Sequence, residues 1–176
     1  MKPVSTLLLA AAFCIFTVGA NAQTSPVVQT SNTNEQQPYK VALTKLSPGN
    51  EQFTKYILNV WKAYDDNRLD DIGFIISDTV FASFPNGQTV KGKDAFMQGL
   101  RAHRGQFASA VSRVTACTTL KSPDEPMNEF TLIWGEETDT NKDGTVQRFS
   151  LHEVFVFDKT GKVAQFYQYA IPLPAK

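Results

Sequence analysis

The 176-residue sequence is poor in the residues that most often announce chemistry: it has two cysteines and two histidines. Cys14 lies in an apolar N-terminal stretch. If that stretch is removed, Cys117 stands alone and no intrachain disulfide can form. A lone cysteine within a long β-run reads as a small buried hydrophobe rather than a nucleophile. His103 and His152 are too few to build a metal-ligand cluster, and no metal or cofactor is expected. Charge of either sign is also missing in excess, with 17 basic against 17 acidic side chains. A near-neutral chain has no electrostatic footprint for nucleic acid or for an anionic membrane.

No apolar run makes a comfortable membrane span, because the one at the N-terminus, Val4 to Val18, is short and Ala-rich. It follows Lys2 and ends in Ala20-Asn21-Ala22, the layout of a secretory signal peptide. The expectation is a signal over 1–22, cleavage after Ala22 and an exported protein, periplasmic or secreted. A lipoprotein signal ending at Cys14 is the rival, and Phe13 stands where such signals want a small residue. Residues 23–46 are rich in Gln, Thr, Ser, Asn and Pro and show no apolar period. Such a segment cannot repay its ordering entropy and reads as a flexible linker. The domain is placed at 47–176.

Ser47-Pro48 reads as a helix cap followed by a first-turn proline. Phe53, Tyr56, Ile57, Val60, Trp61 and Tyr64 then recur at three- and four-residue steps, one apolar stripe on a helix. Asp65-Asp66-Asn67 ends it, and a short second helix is predicted over 69–76. A β-run from Asp78 to Phe84 turns at Pro85-Asn86-Gly87. A third helix is predicted over 93–103, where Gly99 suggests close packing against a neighbour. From Ser109 on, the pattern is β throughout. Met127 to Thr138 puts Phe130, Leu132 and Trp134 on one face.

The stretch 147–172 is the most regular: two long β-runs joined by Asp158-Lys159-Thr160-Gly161. Phe149, Leu151, Glu153, Phe155 and Phe157 share one face of the first run, and Ser150, His152, Val154 and Val156 the other. Glu153 is thus a carboxylate among four large hydrophobes. Helices first and long strands after argue an α+β fold with a strongly curved antiparallel sheet wrapped over the helices.

The region from about Phe53 to Pro172 resembles the SnoaL-like branch of the NTF2-like superfamily. The matching segments are YILNVWKAYDDNRLDDI (56–72), SDTVFASFPNGQTVKGKDAF (77–96) and HEVFVFDKTGKVAQFYQYAIP (152–172). The resemblance implies a cone, in which N-terminal helices and the curved sheet enclose an apolar pocket. It also implies homodimerisation through the outer face of the sheet. Members include isomerases, cyclases, epoxide hydrolases, dehydratases and non-catalytic binding proteins, so the fold fixes little about function. Catalytic cyclases of this branch tend to end in a strand reading like Glu-His-Trp-Asp-Val. Here the matching stretch is 165–169, with Phe166 at the His position and Gln168 at the Asp position.

Glu153 is the candidate catalytic base, since a carboxylate facing the cone would lose hydration and rise in pKa. The alternative is a carboxylate at the mouth, or one paired with Arg148 or Arg113. Adjacent His152 points the other way and cannot form a dyad with it. Trp61, Tyr64, Phe81, Phe84, Trp134, Phe155, Phe166 and Gln168 are the candidate pocket. The segment Asp139-x-Asn141-x-Asp143-Gly144 imitates half an EF-hand loop but lacks the closing Glu, so a polar hairpin loop is the better reading. The expected function is binding of a small, largely apolar molecule. The alternative is an isomerase, dehydratase or hydrolase that uses Glu153.

Overall fold

The computed structural model describes residues 39–43, 45–124 and 128–174. The expected signal peptide and most of the linker lie outside the described residues. Those linker residues that are described, from Tyr39, carry no regular element and are mostly exposed.

A two-residue strand, β1 (Ser47–Pro48), comes first and pairs with Lys121 and Leu120. This corrects the reading of Ser47-Pro48 as a helix cap. The cap is Asn50, whose side chain accepts the Gln52 N–H at 2.9 Å, and helix α1 runs Glu51–Asp65. Asn67, at a φ of 55°, breaks the chain into a 3-10 helix, Leu69–Ile75. Strands β2 (Ile76–Ser83) and β3 (Thr89–Lys91) lead into α2 (Lys93–Arg104). Then come β4 (Phe107–Lys121), β5 (Glu129–Asn141), β6 (Val146–Phe157) and β7 (Val163–Leu173). A side chain on Gly99 would meet open space, so that glycine marks no close packing.

The strands form one sheet in the order β1-β4-β5-β6-β7-β2-β3. It is mixed rather than wholly antiparallel, because β7 runs parallel to β2. The α+β reading stands: the helices pack on one face of a large curved sheet. Register shifts within β4 and within the β2–β7 pair bend it, as strands of 15 and 13 residues require.

The stripe on α1 meets the inner face of β6. The Phe53 ring stacks on Phe157 with centroids 4.0 Å apart, and Ile57 is fully buried. Gly161 takes a φ of 77° in the β6–β7 turn, with the Phe53 ring 3.6 Å from where a Cβ would stand. A side chain there would strain the turn, although its Cβ would meet the ring at an ordinary contact distance.

Candidate functional site

Strand register defines what faces the helices. Across β5, β6 and β7 one inner row reads Thr131, Phe155, Phe166, and the next reads Ile133, Glu153, Gln168. A third joins Gly135, Leu151 and Ala170, and a fourth joins Glu137, Phe149 and Pro172. The first row is packed solid. Phe166 touches the rings of Phe155, Phe96 and Phe84 at centroid distances of 4.9, 5.6 and 5.8 Å. Towards the fourth row the lining loosens, and Tyr64, Leu100, Phe149, Gln168 and Ala170 are half-buried. The inner face is therefore closely packed at one end and less buried at the other, and Glu153 sits where the two meet.

Glu153 is 6% exposed. Its carboxylate accepts Trp61 Nε1–H at 2.7 Å on one oxygen and Gln168 Nε2–H at 2.8 Å on the other. Neither partner carries charge. Arg148, a possible counter-ion, instead donates to Glu136 at 2.8 Å. Burial pushes the Glu153 carboxyl up to about 7, against the pull of the two hydrogen bonds. Trp61 reaches it because residue 135 is glycine. A Cβ there would lie 2.6 Å from Arg113 O and 2.7 Å from Trp61 Cζ3.

A second polar group lies beside the loosened end. Tyr64 Oη and His103 Nδ1 are 2.7 Å apart. The Arg104 guanidinium is buried and donates to the backbone carbonyls of Tyr64, Asp65 and Phe107. Asp65 accepts from both the N–H and the hydroxyl of Ser112. On β5, Asp139 is wholly buried: Oδ2 accepts Gln147 Nε2–H at 3.4 Å, while Oδ1 has no partner. Glu137 stands two residues back on the same face. Burial first, then the charges of Asp139, Glu153 and Asp65, push the Glu137 carboxyl up to about 8. Burial also raises Asp139, raises the Tyr64 phenol and lowers His103.

Of the residues expected at the pocket, Trp61, Tyr64, Phe84, Phe155, Phe166, Gln168 and Glu153 face the interior. Trp134 and Phe81 do not. Ile133 is fully buried on the inner face, so its neighbour Trp134 points outward, stacked on His152 with centroids 4.7 Å apart. Val80 and Ala82 take the inner positions of β2, which turns Phe81 out towards Tyr167 at 6.2 Å. His152 belongs to that outer face, between Trp134 and Tyr169. The EF-hand-like segment is a hairpin loop: Asp143 accepts from the N–H and hydroxyl of Thr145, and Asp139 turns inward, away from it. Cys117 is half-buried beside Thr54, its thiol pushed up to about 11 by burial.

Glu137 and Gly135 escaped the reading of the sequence, and Asp139 and His103 were read only as part of a polar hairpin loop and as one of too few histidines for a metal site. A glycine inside a long strand is a signal of close approach. The carboxylates carried none, since polar residues on an alternating strand ordinarily mark the solvent face. Two surface concavities lie elsewhere. One is lined by residues such as Lys45, Lys121 and Glu129, the other by Tyr56, Lys62, Arg68 and Asp71. Some of the charged groups there pair: Arg68 with Asp71, Lys62 with Asp66, and Glu129 with the Asn50 N–H.

This architecture is the NTF2-like fold. No family model and no curated protein matches the sequence, but solved structures share the fold. An NTF2-like superfamily protein from Salmonella enterica serovar Typhimurium LT2 superposes with a TM-score of 0.59 at 17% identity, over 72% of this chain and 91% of the other. A protein of SnoaL-like polyketide cyclase type from Jannaschia sp. CCS1 gives 0.58 at 13% identity, over 72% and 90%. An LEH-like epoxide hydrolase from M. tuberculosis gives 0.57 at 12% identity, over 70% and 86%.

Proposed function

We propose that this chain binds one small, largely apolar molecule at the open end of its cone, against Glu153. The observation that carries this is Glu153 itself. A buried carboxylate with neutral partners is costly to fold, and a protein keeps such a group where a ligand uses it. The half-buried Tyr64, Leu100, Phe149 and Ala170 supply apolar walls, and Gln168 supplies a neutral hydrogen-bonding group. Trp61 Nε1–H gives a direct readout, because it lies on Glu153 while the other tryptophan, Trp134, lies outside. Titrating the protein with benzyl alcohol should shift the Trp61 indole N–H resonance and leave that of Trp134 in place. Equal shifts, or none, would remove the reading.

One observation favours catalysis as a second reading. A carboxyl held near 7 can take or give a proton at neutrality, as a general base in an isomerisation, dehydration or hydrolysis must. The epoxide hydrolase and cyclase-type neighbours are consistent with it in fold. On this reading Glu153→Gln abolishes turnover and spares binding.

We further propose export after cleavage at Ala22, and a homodimer through the outer face of the sheet. That face carries Trp134, His152, Val154, Tyr167 and Tyr169, with Tyr169 57% exposed and His152 Nε2 unpartnered. A patch of this kind on a monomer asks for cover. Native mass spectrometry of the exported protein tests both at once: the expected species is a dimer of chains that begin at Gln23. A monomer, or a chain lipidated at Cys14, would contradict it. Tyr167→Glu should dissociate the dimer, since burying an unpaired charge is costly.

A further inference from the structure

On the reading that the cone takes a small ligand, we propose that its polar end receives the ammonium head of a small organic amine, with Asp139 Oδ1 as hydrogen-bond acceptor and Glu137 and Glu153 as flanking carboxylates.

The first argument is charge. Glu137, Asp139 and Glu153 all project from the inner face of β5 and β6, and each is buried or half-buried. The cation beside them is Arg104, and its guanidinium is committed to three backbone carbonyls, which fix it behind the Tyr64 ring. It offsets part of the negative charge without giving any carboxylate a direct donor.

The second argument is a bond left unmade. Asp139 is 0% exposed and its Oδ1 has no donor. A buried acceptor without a donor is costly. Its neighbours cannot supply one. From α1, Asp65 is bound to Ser112, and Tyr64 Oη is bound to His103 Nδ1. From α2 come His103, whose Nδ1 is held by Tyr64, and Arg104, whose guanidinium is held by backbone carbonyls, and neither donates to this oxygen. From β6, Gln147 serves Oδ2, and Glu153 is itself an acceptor. What remains is the proton that burial keeps on Glu137, and an ammonium N–H can take its place in offsetting the charge. Exchange is balanced: the amine enters protonated, Glu137 ionises, and one proton leaves to the buffer.

The third argument is the wall. Tyr64, Trp61 and Phe149 line the same end of the cone, and aromatic faces beside carboxylates suit an ammonium carried on an apolar body.

The test is an NMR titration of the full chain with benzylamine, and with benzyl alcohol as its neutral counterpart, following Trp61 Nε1–H. Benzylamine should bind at least about 10-fold more tightly at pH 7.5. Because Glu137 must give up its proton, with its carboxyl at about 8, the amine's affinity should fall roughly 10-fold from pH 7 to pH 6 while the alcohol's stays flat. Asp139→Asn should reduce the amine to the affinity of the alcohol. Glu137→Gln makes the same point should the first variant fail to fold. Equal affinity for both probes would overturn the ammonium site and leave the cone reading standing. Binding of neither would sink both, and an amine preference that survives both substitutions would place the cation elsewhere and overturn the proposal.

Discussion

Glu153→Gln is expected to stabilise the protein at pH 8 and to change its stability little at pH 4. In the native state burial holds this carboxyl at about 7, above its ordinary value of 4.5. A group whose pKa is raised on folding contributes stability that is complete below the unfolded value and is lost as the pH climbs through the folded one. The wild type should therefore weaken between about pH 4.5 and pH 7. The loss is on the order of 3 kcal/mol, from the size of the shift. The amide removes the titration. It also keeps two hydrogen bonds, because Gln168 can turn its own amide over and accept where it now donates. Asp143 and Asp158, whose carboxyls their hydrogen bonds lower, act at the acidic end and are common to both proteins. The difference between the two urea-denaturation series, plotted against pH, thus isolates Glu153. Parallel curves would mean that the carboxylate is solvated, and the site would lose its central group. The Trp61 indole N–H should titrate with the same midpoint in the wild type and not at all in the variant.

Gly135→Ala should be the most damaging single-methyl change in the sheet. The added Cβ would stand 2.6 Å from Arg113 O and 2.7 and 3.0 Å from Trp61 Cζ3 and Cη2. One of these contacts is backbone within β4, so the strand cannot simply step aside. The indole must move instead, and overpacking of this kind costs about 1–3 kcal/mol. The displaced ring takes its N–H away from Glu153, which then loses one of the two bonds that hold its pKa down. Urea denaturation should show the destabilisation, and the Glu153 carboxyl should titrate above its wild-type midpoint. An alanine variant with unchanged stability and an unmoved Trp61 resonance would show that the strand has slack.

The fold was largely legible because β6 and α1 are unambiguous. Phe149, Leu151, Phe155 and Phe157 alternate without error, and the α1 stripe keeps its helical step from Phe53 to Tyr64. Strand β5 misleads for a physical reason. Its most hydrophobic alternate set, Phe130, Leu132 and Trp134, lies on the outer face. The inner set runs Thr131, Ile133, Gly135, Glu137, Asp139. Alternation says that two faces differ; which one is buried depends on what the other strands and helices bring to it. Here the outer face is apolar as well, so the rule that polar means outward picks the wrong side. Trp134 was misplaced for that reason, and the acidic end of the cone was missed with it. Tyr64 and His103 meet across 39 residues, from two different helices, and no local pattern encodes such a pair. Glu153 was legible because it breaks an otherwise apolar face of a strand whose orientation is not in doubt.

The place of β7 has a consequence for the order of assembly. The strand is the last of the described strands, yet it lies in the interior of the sheet, between β6 and β2. The hairpin of β2 and β3 is complete by Lys91, but its other neighbour ends at Leu173. During synthesis the ribosome must therefore deliver everything through Leu173 before the two halves of the sheet can join. Until then β2 and β6 each present an unpaired edge, the kind of surface that invites pairing with other chains. Such late, long-range closure slows folding. The final strand acts as a keystone, and a nascent chain stopped before it would hold two partial sheets with nothing between them.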